Sequence, residues 1–458
     1  MMGIDADYAV SRAFYATGWP TWVVIDQQGT VRYHGVDSDH ELSGLRRCLE
    51  ESLARQPVAQ DPGMKLNAGM AFPAVVLACR QARRERSPRL ALDPAGKPHV
   101  VYYSSRGGTN AVYLRRFNQQ GEPADDECLS PTNALAYAAD CTFDPQGTLW
   151  VTWCGWNTRF YDIYVLSRHE GQPPITRRLT ASDDDAMSPK LAAGSNGTVT
   201  VTYYEWAYLW GFSRDRNIFE RTFNPSSRAW GKGLEVSPHF PEVEDHSDPD
   251  VVIDGQGSAW IVWSYDYHPQ LYKKPVDAAQ PTIFAASVAA NTVSAPVLVG
   301  ATGQWRRAID LFPSAAIDSH GGIWCAWDCS EPTRCIRLAR LSPSRGESVL
   351  VHTFGEQGSV CSTSELSPAA GNLLLLTWSQ RNGAGFWQGK VALLEGGQPL
   401  KTATFTENAD VLFPQAQQGP DGLIWVAYEK SGPQGSKVVL RNITHDFEQD
   451  APAKGLTR

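Results

Sequence analysis

Acidic residues recur at fixed distances ahead of a repeated proline in this chain. Asp185, Asp245 and Asp410 stand four residues before Pro189, Pro249 and Pro414, and Asp310 stands three before Pro313. Asp245 also opens the run Asp245-His246-Ser247-Asp248. A second set of polar side chains follows aromatic stretches: Arg159, Glu205, Asp266, Asp328 and Arg381. Carboxyl groups gathered on one surface suit two kinds of chemistry. Glycoside cleavage needs two of them about 5–9.5 Å apart, and exposed Trp and Tyr beside them would stack on sugar faces. Cation binding needs hard ligands, which Asp245, His246 and Asp248 could supply, but their spacing matches no calcium loop and no metal is expected. A third reading is architectural: Asp and Ser cap turns while aromatics fill gaps in a core. Spacing alone leaves all three open.

The elements that would position these residues belong to a repeat. From Ser87 onward a unit recurs: a Pro, a short apolar run, a turn ending in Gly, then a strand rich in Trp or Tyr. The turn glycines are Gly96, Gly147, Gly197, Gly257, Gly321, Gly371 and Gly422, spaced by 51, 50, 60, 64, 50 and 51 residues. Such a period marks a repeat architecture. Each unit reads as four strands. Strand a follows the Pro, as in Ala315-Ala316-Ile317, and the Asp-x-x-Gly turn is a tight hairpin in which Gly supplies φ > 0. Strand b alternates, as in Trp324-Cys325-Ala326-Trp327, placing its aromatics on one face. Strand c is Asp162 to Leu166 in one copy and Lys437 to Leu440 in another. Strand d is short, as in Ile175 to Leu179 or Pro296 to Val299. Seven such units predict a mainly β chain, a seven-bladed β-propeller over residues 71–446 with a tail at 447–458. The candidate residues then fall on the b–c and d–a loops, which share one face. The seventh unit lacks an evident fourth strand, whereas the apolar run 74–79 precedes the first unit without a partner. That run is expected to complete the seventh blade and protect its edge.

Residues 1–55 do not carry the repeat. Asp5 to Ala16 reads as a helix, Trp22 to Asp26 and Thr30 to His34 as paired strands. A last helix starts at the capping box Ser38-x-x-Glu41 and shows Leu42, Leu45, Leu49 and Leu53 at helical spacing. The residues Tyr15-x-x-Gly18-Trp19-Pro20-Thr21 and Val24-Ile25-Asp26-x-x-Gly29 resemble the C-terminal half of a thioredoxin-like domain of the membrane-associated disulfide-reductase type. That resemblance implies a cis peptide at Pro20 facing a pair of redox cysteines. No Cys-x-x-Cys occurs in the chain, however, and thiol–disulfide exchange needs an activated thiolate with a resolving partner. The segment is therefore expected to be redox-inactive, a partial thioredoxin-like module joined by a linker at 56–70. The repeats resemble, loosely, those of the sialidase superfamily. That family's Asp box is Ser-x-Asp-x-Gly-x-x-Trp, whereas Asp254-Gly255-Gln256-Gly257-Ser258-Ala259-Trp260 puts the Gly three residues after the Asp.

Composition narrows the classes further. The 458 residues hold 41 Lys+Arg against 49 Asp+Glu, a net charge of −8 that argues against nucleic acid as a partner. No apolar run reaches the roughly 18 residues of a membrane span. Met1-Met2-Gly3-Ile4-Asp5 shows no basic start, so no signal peptide is read, although the reductase resemblance points outside the cytosol. Nine cysteines leave an odd thiol, with Cys329–Cys335 and Cys128–Cys141 as the pairs an oxidising compartment would allow. The leading expectation is a non-catalytic binding propeller with no cofactor, taking a small molecule, glycan or protein at its loop face. It would be attached to a redox-inactive remnant of a longer thioredoxin-like fusion. One alternative is a glycan-binding or glycan-cleaving, sialidase-like propeller. The other is a thiol–disulfide oxidoreductase whose catalytic half is absent from this chain.

Overall fold

The computed structural model describes residues 21–25, 31–36 and 85–448. The last stretch omits short segments at 107–108, 119, 132–134, 182, 210–212, 239–245, 266–280, 302–309, 330–333, 343–346, 384 and 433–434. Two compact units divide the chain, residues 1–77 and 78–458. In the first, Thr21–Ile25 pairs antiparallel with Val31–Val36, the hairpin expected there. Pro20, the helices beside that hairpin and the strand expected at 74–79 lie outside the described residues.

The second unit is a seven-bladed propeller built from seven antiparallel sheets. Blade 1 runs through strands Glu85–Leu92, Pro98–Ser104, Ala111–Arg116 and Glu127–Cys128 in the order a-b-c-d. Blades 2 to 6 begin at Ala136, Asp185, His246, Asp310 and Ser359 and repeat that order, with strand d split in two in blades 3 and 4. Blade 7 has three described strands, Asp410–Gln418, Ile424–Gly432 and Gly435–Asn442. Strand a of each blade abuts strand a of the next, and that of blade 7 abuts that of blade 1. The seven a strands therefore encircle the axis. Hydrophobic layers fill the gaps between blades, as where Trp153 and Leu166 of blade 2 pack on Val101 and Leu114 of blade 1.

Each a–b turn bears out the glycine pattern. The seven turn glycines have φ between +69° and +85°, a region open to glycine at little cost. In three copies the Asp opening the turn uses both carboxylate oxygens. Asp318 Oδ1 accepts from the backbone N–H groups of His320 and Gly322 at 2.9 and 2.7 Å, and Oδ2 from Trp324 Nε1 at 2.8 Å. Asp144 and Asp254 do the same for Trp150 and Trp260. The turn is thereby tied to the aromatic strand that follows it.

Strand a departs from the expectation that it begins after the proline: it begins before it. In every blade the register of a against b slips so that two residues of a oppose one of b, a β-bulge. The bulged pairs are Ser87-Pro88, Ala138-Ala139, Ser188-Pro189, Asp248-Pro249, Phe312-Pro313, Thr363-Ser364 and Phe413-Pro414. Bulged residues make no ladder bonds, so proline's missing N–H costs nothing there. The first of each pair has φ between +48° and +59°, although none is glycine. Opposite each bulge on strand b sits a buried aromatic: Tyr102, Trp153, Tyr203, Trp263, Trp327, Trp378 and Tyr428. The backbone device is the same seven times over.

Ring closure between blades 7 and 1 is visible in hydrogen bonds. Gln415 Oε1 accepts from the N–H of Leu90 at 2.6 Å, Glu429 Oε2 from that of Ser87 at 3.2 Å, and Glu85 Oε2 from that of Val438 at 2.9 Å. The same kind of strut links other neighbours: Asp140 to Leu191 at 3.0 Å, Asp250 to Ala315 at 2.8 Å, and Ser314 Oγ to the N–H of Leu366 at 3.0 Å. All seven described cysteines are thiols, and neither of the two pairs that an oxidising compartment would allow is bonded. Cys329 and Cys335 face each other across strands b and c of blade 5, while Cys128 and Cys141 belong to different blades.

Candidate functional site

Because the strands of a blade alternate in direction, a–b turns share one face of the ring and b–c and d–a connections the other. Sequence spacing places the candidate carboxylates on the second face, and most of those described there are engaged by the framework. Asp185 Oδ1 accepts from the N–H of Tyr161 at 2.8 Å, and Asp410 Oδ1 from that of Trp387 at 2.9 Å. Each therefore ties strand c of one blade to strand a of the next. Asp328 accepts from the N–H groups of Thr363 and Ser364 at 2.7 and 3.1 Å and from the hydroxyls of Ser362 and Ser364 at 3.0 and 2.9 Å. It holds the bulge of blade 6 from blade 5, and burial pushes its carboxyl up. His246 is fully buried, its Nδ1 accepting from Trp263 Nε1 at 2.9 Å.

The other described candidates belong to four different blades. Arg159 is exposed, 3.7 Å from Asp183 and over the Phe160 ring. Arg381 lies over the Trp387 ring at 5.1 Å. Glu205 is half-buried, and burial followed by the charge of Asp184 pushes its carboxyl up to about 7. Asp310 is described in its backbone only, opening strand a of blade 5 opposite Cys329. Asp245 and Asp266 lie outside the described residues. Among the described residues, no group of three or more His, Cys, Asp or Glu is placed to hold a metal ion. None of the described helices is long and apolar enough to cross a membrane.

The geometry gathers a different set on the axis. A cavity of about 220 Å³ is lined by all seven bulges. Its walls carry Ser87, Ala138, Ser188, Asp248, Phe312, Thr363 and Phe413, the residues with positive φ. Strand a runs from the loop face toward the turn face, so the residue after each bulge lies deeper. At that depth Arg89 of blade 1 and Lys190 of blade 3 both reach Glu365 of blade 6. Arg89 and Glu365 form an ion pair, and Lys190 Nζ stands 3.2 Å from Glu365 Oε1. These blades are not neighbours in the ring, so the three side chains cross the axis and floor the cavity. Ser314 donates to Glu365 Oε2 at 2.7 Å, and Asp250 lies 4.0 Å from Lys190. Burial, then the charge of Arg89, pulls the Lys190 ammonium below its ordinary range.

Above this floor is a pit with apolar and polar parts. Phe312 is 48% exposed and Phe413 39%, both on the wall. Asp248 accepts from the hydroxyls of Ser247 and Ser264, each at 3.3 Å, and burial pushes its carboxyl up. Among the described candidate residues, Asp248 alone lines the pit. Phe312, Phe413, Arg89, Lys190 and Glu365 were missed. A signal was present: a large apolar side chain directly before the repeated proline, twice, at Phe312-Pro313 and Phe413-Pro414.

No family model and no curated protein sequence matches the chain. Solved structures do. A polysaccharide lyase of the PL25 ulvan lyase family, bound to -[GlcA(1-4)Rha3S]-, is 12% identical, with a TM-score of 0.53 over 79% of this chain and 94% of that one. The polysaccharide lyase Uly1 is 10% identical, with a TM-score of 0.50 over 84% and 94%. A sialidase of Trypanosoma rangeli is 8% identical, with a TM-score of 0.44 over 72% and 57%. At these identities the likeness is one of fold.

Proposed function

We propose that the chain is a glycan-binding propeller whose site is the axial pit. The observation that carries this reading is the pairing, in one cavity, of exposed Phe312 and Phe413 with a ring of hydroxyl, carboxyl and cationic groups. Sugars need both kinds of surface: aromatic rings that pack on their C–H faces, and donors and acceptors that satisfy closely spaced hydroxyls. Fold neighbours named as polysaccharide lyases add support without assigning a substrate. The thioredoxin-like reading of residues 1–55 contributes nothing to this proposal. A glycan microarray probed with the wild-type chain and a Phe312→Ala/Phe413→Ala variant tests it. Binding that disappears in the variant is expected; wild-type silence, or binding indifferent to both rings, overturns it.

Cleavage is the second reading, favoured by the two carboxyl groups of the pit. Burial pushes the Asp248 carboxyl up, the direction a general acid needs, and Glu365 is ion-paired with Arg89 and Lys190. A fluorogenic glycoside panel decides it: turnover that falls at least 100-fold in Asp248→Asn supports cleavage, and no turnover leaves a binding module.

A further inference from the structure

Resting on the glycan reading, we infer that the pit receives a single, uncharged sugar residue at the end of a glycan chain. Size is the first reason. The cavity is about 220 Å³, below the roughly 300–1,000 Å³ of pockets that hold drug-sized ligands, and so suited to one ring. Closure is the second. Arg89, Glu365 and Lys190 meet across the axis from blades 1, 6 and 3, so a saccharide cannot thread through and continue. A residue seated on that floor is terminal, with the chain leaving past Phe312 and Phe413 toward the loop face.

Charge is the third reason and sets the chemical class. The walls and floor hold two cations, Arg89 and Lys190, and two carboxyl groups, Asp248 and Glu365. Both cations already share Glu365. A uronate or sulfate entering the pit would compete for two cations that two carboxylates already face, Glu365 between them and Asp250 4.0 Å from Lys190. Desolvating an anion without a free partner is strongly unfavourable. An ammonium group would lie among Arg89 and Lys190 and finds Glu365 equally occupied. Uncharged hydroxyls face neither penalty, and the polar residues Ser87, Ser188 and Thr363 line the wall beside them. The chain's net charge of −8 acts in the same direction, against polyanions.

The test uses the whole chain and matched methyl glycosides: glucose against glucuronate, galactose against galacturonate, mannose against mannuronate. Saturation-transfer NMR and calorimetry read the binding, with Phe312→Ala/Phe413→Ala as the site control. At least one neutral glycoside is expected to bind, at least tenfold more tightly than its uronate, and to lose that binding in the control. A uronate that binds as tightly as its neutral partner, or no glycoside binding while array glycans still need both Phe rings, overturns this inference and spares the glycan reading. Silence of array and glycosides alike overturns both.

Discussion

The two ends of strand a make an instructive pair. At the turn end, the repeat keeps the backbone and part of the side-chain pattern: glycine at positive φ in all seven blades, and in blades 2, 4 and 5 an Asp that bonds two backbone N–H groups and a Trp indole. At the bulge end the backbone is equally regular, with positive φ in all seven copies, but the side chains are Ser, Ala, Ser, Asp, Phe, Thr and Phe. Holding such residues at positive φ costs about 1–2 kcal/mol each, and glycine would relieve it. The buried aromatic opposite each bulge is the constraint that maintains the conformation. Where side chains serve the framework they repeat; where they face the pit they diverge. That contrast identifies the axial end of the ring as the part free to specialise.

Breaking the pit floor should have the largest effect on stability. Glu365→Ala leaves Arg89 and Lys190 facing each other without their shared carboxylate, and is expected to cost about 3–5 kcal/mol in denaturant melts. Retention of stability would mean that the floor is held by something other than the ion triad. Next comes Glu429, 3% exposed, whose carboxyl burial pushes up to about 7. Its folded pKa lies above the unfolded one, so the folded state binds the extra proton between them. Stability from this group is present at low pH and falls as pH rises through about 7. Glu429→Gln should therefore be neutral near pH 5 and raise stability by roughly 2–3 kcal/mol at pH 8. A wild-type melting temperature flat across that window would contradict it.

Smaller effects sharpen the contrast itself. Asp318→Ala removes three hydrogen bonds at the turn end and leaves a buried indole N–H unpaired, for an expected loss of about 2 kcal/mol. Glycan binding should be unchanged, and a loss of affinity greater than threefold would break the separation of the two ends. Phe312→Gly and Phe413→Gly make the opposite trade. Relief of positive φ offsets the lost side chain, so thermal melts should show no loss and a gain of up to about 1 kcal/mol, while binding disappears.

How much of this was legible in the sequence follows from which residues mark their own conformation. Turn glycines advertise positive φ, so their period revealed the seven blades. Trp and Tyr on strand b likewise predicted the aromatic layers. The bulge was not legible, because Ser, Ala, Asp, Phe and Thr carry no sign of positive φ, and the bulge is imposed by the blade around it. Strand a was accordingly started one bulge too late. Asp185 and Asp410 looked like open carboxylates, since a sequence shows the acid but not the N–H of Tyr161 or Trp387 that occupies it. Arg89, Lys190 and Glu365 lie in blades 1, 3 and 6, and no local spacing connects them.

A crystal structure of the chain with the oligosaccharide that binds most strongly on the array tests the central claim most directly. The account predicts one sugar ring in the axial pit, packed against Phe312 or Phe413 above the Arg89–Glu365–Lys190 floor, with the rest of the chain leaving toward the loop face. Electron density for the saccharide on the outer loops or between two blades, with the pit holding only solvent, would contradict it.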